Sequence, residues 1–502
     1  MNISRVFAFV LLIVFISIVS PLQIKAQNGI LFTVNDNGDT HDVNIGDNVC
    51  ADANGKCTFR AALEENGLNR GNSRQNGINF ALALPAVINL TLGELVIGAN
   101  VYIVGPGARN LTVQRSPASG TADFRIFRIP ETSGSFIAIR GFKVRNGKVN
   151  TGNGGGILVE PDNVVRLVEL DISENSANRG GGIFNFGLLG IIRTLVNSNT
   201  AVTNKTINGT GGGLFNDRFY GRAEIINSTF TGNTAFSGGA VHNDGGQIWS
   251  INNTFSRNNA ENAGCSFVNV GTGSFNVLNT VVGMDNPANV SSLSGTFSSY
   301  GNNLITDARN SSGFVNGINN DQVSNNNTID PLLGALADNG GQTDTLALLD
   351  GSPAINLGNN CVVDGNCAFF PSPFRIGIDQ RRQNRRGETA VDIGAYETRP
   401  SGFSVSVSIG GGFQSGNRSG GILLTLTNAA TNEKQSRVTN PFGSYSFSRL
   451  GFYDVYFLEL KPKRIGLRNG LTVIEPERSG NSPLQNSFGN KVETEFNVTK
   501  GN

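Results

Sequence analysis

The chain has 502 residues, 65 of them Gly, with 38 % hydrophobic and only 15 % charged residues, which is enough for one elongated core and a second domain. Its 39 basic and 38 acidic residues leave a formal net charge of +1, so there is no basic footprint for nucleic acid or another polyanion. Low charge combined with abundant Gly, Asn, Ser and Thr suits a stacked β-structure.

At the start, Arg5 precedes an apolar run of 14 residues, Val6 to Val19, followed by Ser20-Pro21 and the small-residue site Ile24-Lys25-Ala26. The run is short of the roughly 20 residues of a spanning helix. It reads as a cleaved export signal over 1–26, with the mature chain beginning at Gln27 and no transmembrane segment after cleavage. A secreted or outer-cell-surface location follows. The cysteines fit it: Cys50 with Cys57, and Cys361 with Cys367, can each close a small disulfide loop in an oxidising compartment. Both pairs lack the C-x-x-C spacing and neighbouring His of zinc sites. Cys265 is left over inside the repeat and reads as a buried free thiol.

Ile30 to Val34 is a short strand. The loop after it gathers five carboxylates within 17 residues, Asp36, Asp39, Asp42, Asp47 and Asp52. Oxygen ligands at such spacing are candidates for a structural Ca²⁺, although the pattern is not that of an EF-hand and a solvated acidic loop is the plainer reading. No other cofactor is indicated. Cys57 to Glu65 is the clearest helix, with Thr58 as cap, Arg60 facing Glu64, and Asn66-Gly67 as its end. A strand plus a brief helix suits a cap over the open edge of a solenoid, placed at 27–76.

Phe32-Thr33-Val34 followed by Cys57-Thr58-Phe59-Arg60-Ala61-Ala62-Leu63 resembles the CSLREA domain found at the start of exported bacterial β-helix proteins. Cys57, Arg60 and Ala62 match its signature, whereas Ala61 stands where the family has Glu. The continuation, Ile78-Asn79-Phe80, Thr91 to Ile97, Tyr102 to Gly107 and Phe136 to Gly147, is similar to the first rungs of those proteins.

From Gly154 the chain repeats. Gly154-Gly155-Gly156-Ile157, Gly180-Gly181-Gly182-Ile183, Gly211-Gly212-Gly213-Leu214 and Gly238-Gly239-Ala240-Val241 are spaced 26, 31 and 27 residues apart. A second signal sets an apolar residue just before an Asn, with Ile172, Phe230, Phe255 and Val281 as equivalents and Asp171 matched by Ser228 and Asn253. Periods of this length mark a solenoid. Val164 to Leu170, Ile191 to Leu195, Glu224 to Ile226 and Phe275 to Leu278 read as its short strands. Each unit needs its neighbour to complete a core. The expected fold is all-β, a right-handed parallel β-helix (a pectate-lyase-like solenoid) over 77–329. Gly154, Gly180, Gly211 and Gly238 would sit at its corners, and Asn would turn further corners and bond along the stack. A propeller blade would need about 40 residues and four strands, and Gly-rich disorder would not place apolar residues at matching positions.

The motifs Asp330-Pro331-Leu332-Leu333-Gly334, Asp338-Asn339-Gly340-Gly341, Gly351-Ser352-Pro353-Ala354 and Val391-Asp392-Ile393-Gly394-Ala395-Tyr396-Glu397 resemble the "choice-of-anchor" region that closes bacterial surface β-helices. Residues 330–399 would then be closing rungs, with Asp379-Gln380-Arg381-Arg382 as a charged edge. From Ser404 the pattern alternates cleanly, with Ile422 to Thr427 as a strand, and reads as a C-terminal β-sandwich over 402–498. Its Asn440-Pro441-Phe442-Gly443-Ser444-Tyr445-Ser446-Phe447 hairpin resembles the carboxypeptidase-regulatory-like, transthyretin-like fold. That resemblance implies no peptidase activity.

The repeat supplies Glu160, Asp162, Glu169, Asp171, Glu174, Asp217, Glu224 and Asp244, but in the sequence they form no column that would force a catalytic pair. His242 reads as a corner side chain bonded to a carbonyl, its alternative being a base or glycan contact. Trp249 could stack on a sugar, but period two lets either Ile248 or Trp249 face inward. The Asn-x-Ser/Thr triplets at Asn208, Asn227 and Asn252 arise readily in so Asn-rich a chain and imply no glycosylation. The expectation is a non-catalytic, monomeric structural or adhesive protein presenting a rigid face to extracellular glycans or surface proteins. The alternative is a polysaccharide lyase or glycoside hydrolase working in a groove of the β-helix.

Overall fold

The structure is a computed structural model. It describes residues 29–67, 75–131, 134–204, 206–285, 290–367, 375–385 and 389–398, and beyond these the strands 403–410, 422–428, 434–438, 444–450, 456–462 and 492–497. The expected signal at 1–26 and the Asn440 to Gly443 turn lie outside the described residues. The chain divides into two compact units, one running to Glu397 and the other holding the strands after Thr398.

One turn of the chain shows how the first unit is built. Val164–Val168 lies in sheet A, Asp171–Ser173 in sheet B, Ser176–Arg179 in sheet C and Ile183–Asn185 in sheet D, and Leu188–Ile192 then returns to pair with Val164–Val168. Repetition gives parallel sheets of ten, ten, five and nine strands. This is an all-β arrangement of stacked parallel sheets with few helices, consistent with a parallel β-helix. Residues of sheet A alternate inward and outward. The inward ones join a single core that runs from Phe32 to Phe314, so each rung buries its apolar side only because another rung lies on it.

The four glycine clusters stack. Gly154, Gly180, Gly211 and Gly238 have φ of 65°, 63°, 68° and 69°, a left-handed corner that favours Gly. The amides of Gly155, Gly181 and Gly212 donate to the carbonyls of Gly180, Gly211 and Gly238 at 3.2, 3.1 and 3.1 Å. Gly264 (φ 57°) continues the column, with Gly239 N donating to its carbonyl. Cys265 stands there in place of the second glycine, buried and free, and burial pushes its thiol up to about 12.

The second signal differs by one position from its expected alignment. Ile172, Val196, Phe230, Phe255 and Val282 are in register, so Val282 rather than Val281 follows Phe255, and Asp171 is matched by Leu195, Thr229 and Thr254 rather than by Ser228 and Asn253. The strand expected over Ile191 to Leu195 is broken at Arg193. Glu169, Arg193, Asn227, Asn252, Asn279 and Asn302 form a column of left-handed corners between sheets A and B, with φ of 47° to 53°. At the next corner but one, Asn175, Asn199, Asn233 and Asn258 form a buried ladder. Each Nδ2 donates to the Oδ1 one rung on at 3.0 Å.

That ladder ends on Asp285, which accepts from Asn258 N at 3.0 Å and from the Ser266 hydroxyl at 2.8 Å. The last rung has only donors above it, and Asp supplies acceptors alone. Burial pushes Asp285 up to about 7. A carboxyl whose folded pKa is raised favours the folded state while protonated, and that stability is lost as pH rises from about 4 to about 7. Asp285→Asn should therefore flatten the pH dependence of urea unfolding across that window. An unchanged pH profile would contradict this role.

At the amino end the helix is Phe59–Gly67, with Thr58 Oγ1 accepting from Ala61 N at 3.1 Å as a cap. Arg60 does not pair with Glu64. It reaches Asp39 at 2.8 Å in a buried pair, while Glu64 binds His41 and the Asp42 amide. The strand Leu31–Val34 is already the first strand of sheet A, paired with Asn76–Phe80, so stacking begins within the expected cap rather than after it.

The described residues between 330 and 397 do not add closing rungs. Leu333–Ala337 and Thr345–Leu348 pair antiparallel with each other. The segment lies instead along the corner of sheets A and B. Asn302 donates to Leu357 O, Asn279 exchanges bonds with Asn359, Asn227 donates to Ile378 O, and Arg382 grips Glu169. This strap thus climbs back toward earlier rungs, because the left-handed column turns those side chains outward. Asp379, Gln380 and Arg381 are buried in it rather than forming a charged edge on a last rung.

In the second unit, Phe403–Gly410 lies between Ser444–Leu450 (antiparallel) and Val492–Asn497 (parallel). Ile422–Asn428 lies between Lys434–Val438 and Tyr456–Pro462, both antiparallel.

Candidate functional site

The outer face of sheet A carries the chemistry. Period two points Val165, Leu167, Leu189, Ile191, Ala223, Ile225 and Ile248 into the core, and hence Val164, Arg166, Leu188, Gly190, Arg222, Glu224 and Trp249 outward. Arg166, Gly190, Glu224 and Trp249 are consecutive members of one cross-rung column. With no side chain at Gly190 the column opens into a notch, lined by Val164, Arg166, Leu188, Ile192, Arg222 and Glu224. Burial dominates the electrostatics there. It raises the Glu224 carboxyl, against the pull of Arg222 and Arg166, and it lowers the Arg166 guanidinium. Arg222 lies 3.5 Å from Glu224. Aromatic rings extend the face: Tyr102 meets Phe136 at 5.9 Å, Arg166 lies over Phe136 at 5.8 Å, and Trp249 meets Tyr300 at 4.9 Å. Trp249 therefore faces out and Ile248 in.

A second hollow of about 380 Å³ adjoins the notch where the sheet A strands begin, lined by Gly134, Asp162, Asn163, Val164, Gly187, Leu188 and Tyr220. Tyr220 and Phe219 sit on the turn from Asp217 to Gly221, 61 % and 72 % exposed. Sequence reasoning passed over both. The signal available was loop length: Asn185 pairs with Asn216 and Leu188 with Arg222, so this turn is three residues longer than its neighbour.

The other candidates scatter. His242 is not at a corner bonded to a carbonyl through Nδ1, which is buried without a partner among the described residues. It stands on the strand Val241–Asp244 and stacks on Phe215 at 5.2 Å, and burial lowers it to about 4. It is neutral and enclosed. The loop carboxylates diverge. Asp36, Asp42 and Asp47 accept from amides of their own turns, Asp52 also binds Thr40, and Asp39 pairs with Arg60 and the Thr91 and Leu92 amides. Among the described residues no three or more His, Cys, Asp or Glu side chains are grouped to hold a metal ion. Cys50 is bonded to Cys57, and Cys361 to Cys367.

One carboxylate pair does fall in register. Asn216 pairs with Asn243, so Asp217 and Asp244 occupy equivalent places on adjacent rungs, contrary to the sequence reading that no column forms. Asp217 is raised by burial, and Asp244 adds to the effect. Asp217 accepts from Phe219 N at 3.0 Å, and Asp244 is held by Arg218 at 2.9 Å. Neither lines the hollow. Asn227 and Asn252 are buried in the strap-covered corner, which closes those two triplets to modification in the folded chain. No helix among the described residues is long and apolar enough to cross a membrane. No family model matches the sequence, and no curated protein matches it.

Proposed function

We propose that this is an exported, non-catalytic adhesive or scaffolding protein that presents the outer face of sheet A to extracellular glycans or surface proteins. In this reading the first unit is a right-handed parallel β-helix with a CSLREA-like cap and a choice-of-anchor-like strap. The second is a carboxypeptidase-regulatory-like β-sandwich. The observation that carries it is the composition of the face: Tyr102, Phe136, Trp249 and Tyr300 accompany a notch in which Glu224 is the sole carboxylate and Arg222 is its partner. Inverting hydrolysis needs two carboxylates about 6.5 to 9.5 Å apart and retaining hydrolysis two at about 5 Å, so such a notch suits retention rather than cleavage. The two disulfides fit an oxidising compartment.

Asp217 and Asp244 favour a second reading, glycoside hydrolysis, because rungs stack at about 4.8 Å and Asp217 is raised as a general acid would be. Against it, Asp217 is 6 % exposed and each carboxylate already has a partner. The test applies the purified mature chain to plant and bacterial polysaccharides and scores both retention and new reducing or unsaturated ends. Retention without new ends is expected. New ends that vanish in Asp217→Asn would establish the second reading instead.

A further inference from the structure

We infer that the hollow beneath Tyr220 is a subsite for a neutral pyranose glycan and excludes acidic sugars. The inference rests on the reading of sheet A as a binding face and names its ligand class. The hollow's volume of about 380 Å³ lies within the range of roughly 300 to 1,000 Å³ typical of small-ligand sites. Val164 and Leu188 give it an apolar floor, and Tyr220 stands at its edge with its ring exposed. This is the arrangement that receives a sugar ring, whose C–H face packs on apolar and aromatic surface while its hydroxyl rim meets flanking polar groups.

The room exists because Gly187 has no side chain: a Cβ there would lie 2.7 Å from Asn163 O. The platform is held in place before any ligand arrives. Asp217 N donates to Asn185 O, Gly221 N to Asp217 O, and Phe219 N to Asp217 Oδ1, each at 3.0 Å. Tyr220 therefore rides on a braced turn and loses little freedom on binding. Asn163 fixes the opposite wall by donating to the carbonyls of Pro130, Glu160 and Pro161.

Charge selects the ligand class. Among the lining residues Asp162 alone is charged, and it is exposed. A uronate or sulfated sugar would bring an anion to a carboxylate with no cation in the lining, whereas a neutral sugar hydroxyl would find an acceptor. The hollow also opens onto the Gly190 notch through the shared residues Val164 and Leu188, so a chain of sugars could continue over the rungs toward Trp249.

The experiment is calorimetric titration of the full mature chain with a β-1,4-glucan hexasaccharide, an N-acetylglucosamine hexasaccharide and a hexagalacturonate. At least one neutral hexasaccharide should bind and the hexagalacturonate should not. Tyr220→Ala, a change at an exposed position, should weaken neutral binding at least tenfold. Asp162→Lys should bring measurable affinity for the hexagalacturonate. If neutral binding survives Tyr220→Ala but is abolished by Trp249→Ala, the subsite is wrong while the binding face stands. Wild-type preference for the hexagalacturonate overturns the charge argument, and binding of none of the three overturns both the subsite and the glycan reading on which it rests.

Discussion

Gly181→Val should leave little folded protein. A Cβ at Gly181 would lie 2.4 Å from Thr200 O and 2.6 Å from Gly212 O, and neither carbonyl can retreat. Thr200 belongs to sheet C, and Gly212 O already accepts from Gly182 N at 2.9 Å. Relief would have to separate rungs, which removes ladder bonds and apolar contacts together. The expected loss is about 4 kcal/mol or more, at the severe end for single substitutions. Urea unfolding followed by circular dichroism reads it directly. Gly377→Ala, where a Cβ meets nothing within 4 Å, serves as the control and should change stability by no more than about 0.5 kcal/mol.

Arg385→Ala should be nearly as damaging, for an electrostatic reason. Arg385 is fully buried, with Nη2 donating to Asn227 Oδ1 at 2.8 Å and Gly394 O at 2.7 Å, and Nη1 meeting Glu397 Oε2 at 3.1 Å. It ties the strap to the corner column and keeps Glu397 paired. Burial already raises the Glu397 carboxyl well above its usual range, with Arg385 opposing that shift. Removing the guanidinium leaves a buried acid and two unmet acceptors, a loss of about 3 to 5 kcal/mol. The double substitution Arg385→Met with Glu397→Leu should recover a large part of it, because no uncompensated charge remains. Equal damage from the single and double substitutions would mean that the pair matters for shape rather than charge. Limited proteolysis should also cut the strap faster in Arg385→Ala than in the parent.

The parts readable in advance are those in which a rung repeats its residue types. Glycines at left-handed corners, apolar residues between them and cysteines a few residues apart all carry local rules, and the structure places them in stacks and bonds. Register was harder. Val281 and Val282 are both apolar, as are many residues before Asn, so spacing alone could not choose between them, and the bonded pairing selects Val282. The Asp217–Asp244 column was hidden by unequal loops. Asn216 and Asn243 pair, but six residues separate Asn216 from Arg222 and four separate Asn243 from Gln247. The end of the asparagine ladder was hidden because its last member changes type, from Asn to Asp285. The strap was the least legible part. Its position depends on contacts such as Arg382 with Glu169, 213 residues apart, and no local periodicity encodes them. The binding face lay between these extremes. Trp249 was visible as a candidate, but its outward direction and its neighbours Arg166, Gly190 and Glu224 emerge only once the rungs are aligned.

Everything proposed for sheet A presupposes that the units lie on one another in this register, and pulsed dipolar spectroscopy between spin labels at Glu174 and Met284 tests that most directly. Both follow the sheet B column Ser173, Asn197, Thr231, Ser256 and Gly283, which places them four rungs apart, and at about 4.8 Å per rung they should be separated by about 19 Å. A single narrow distribution near that value is predicted, whereas a broad distribution, or one centred beyond about twice that separation, would contradict the stacked coil and the face built on it.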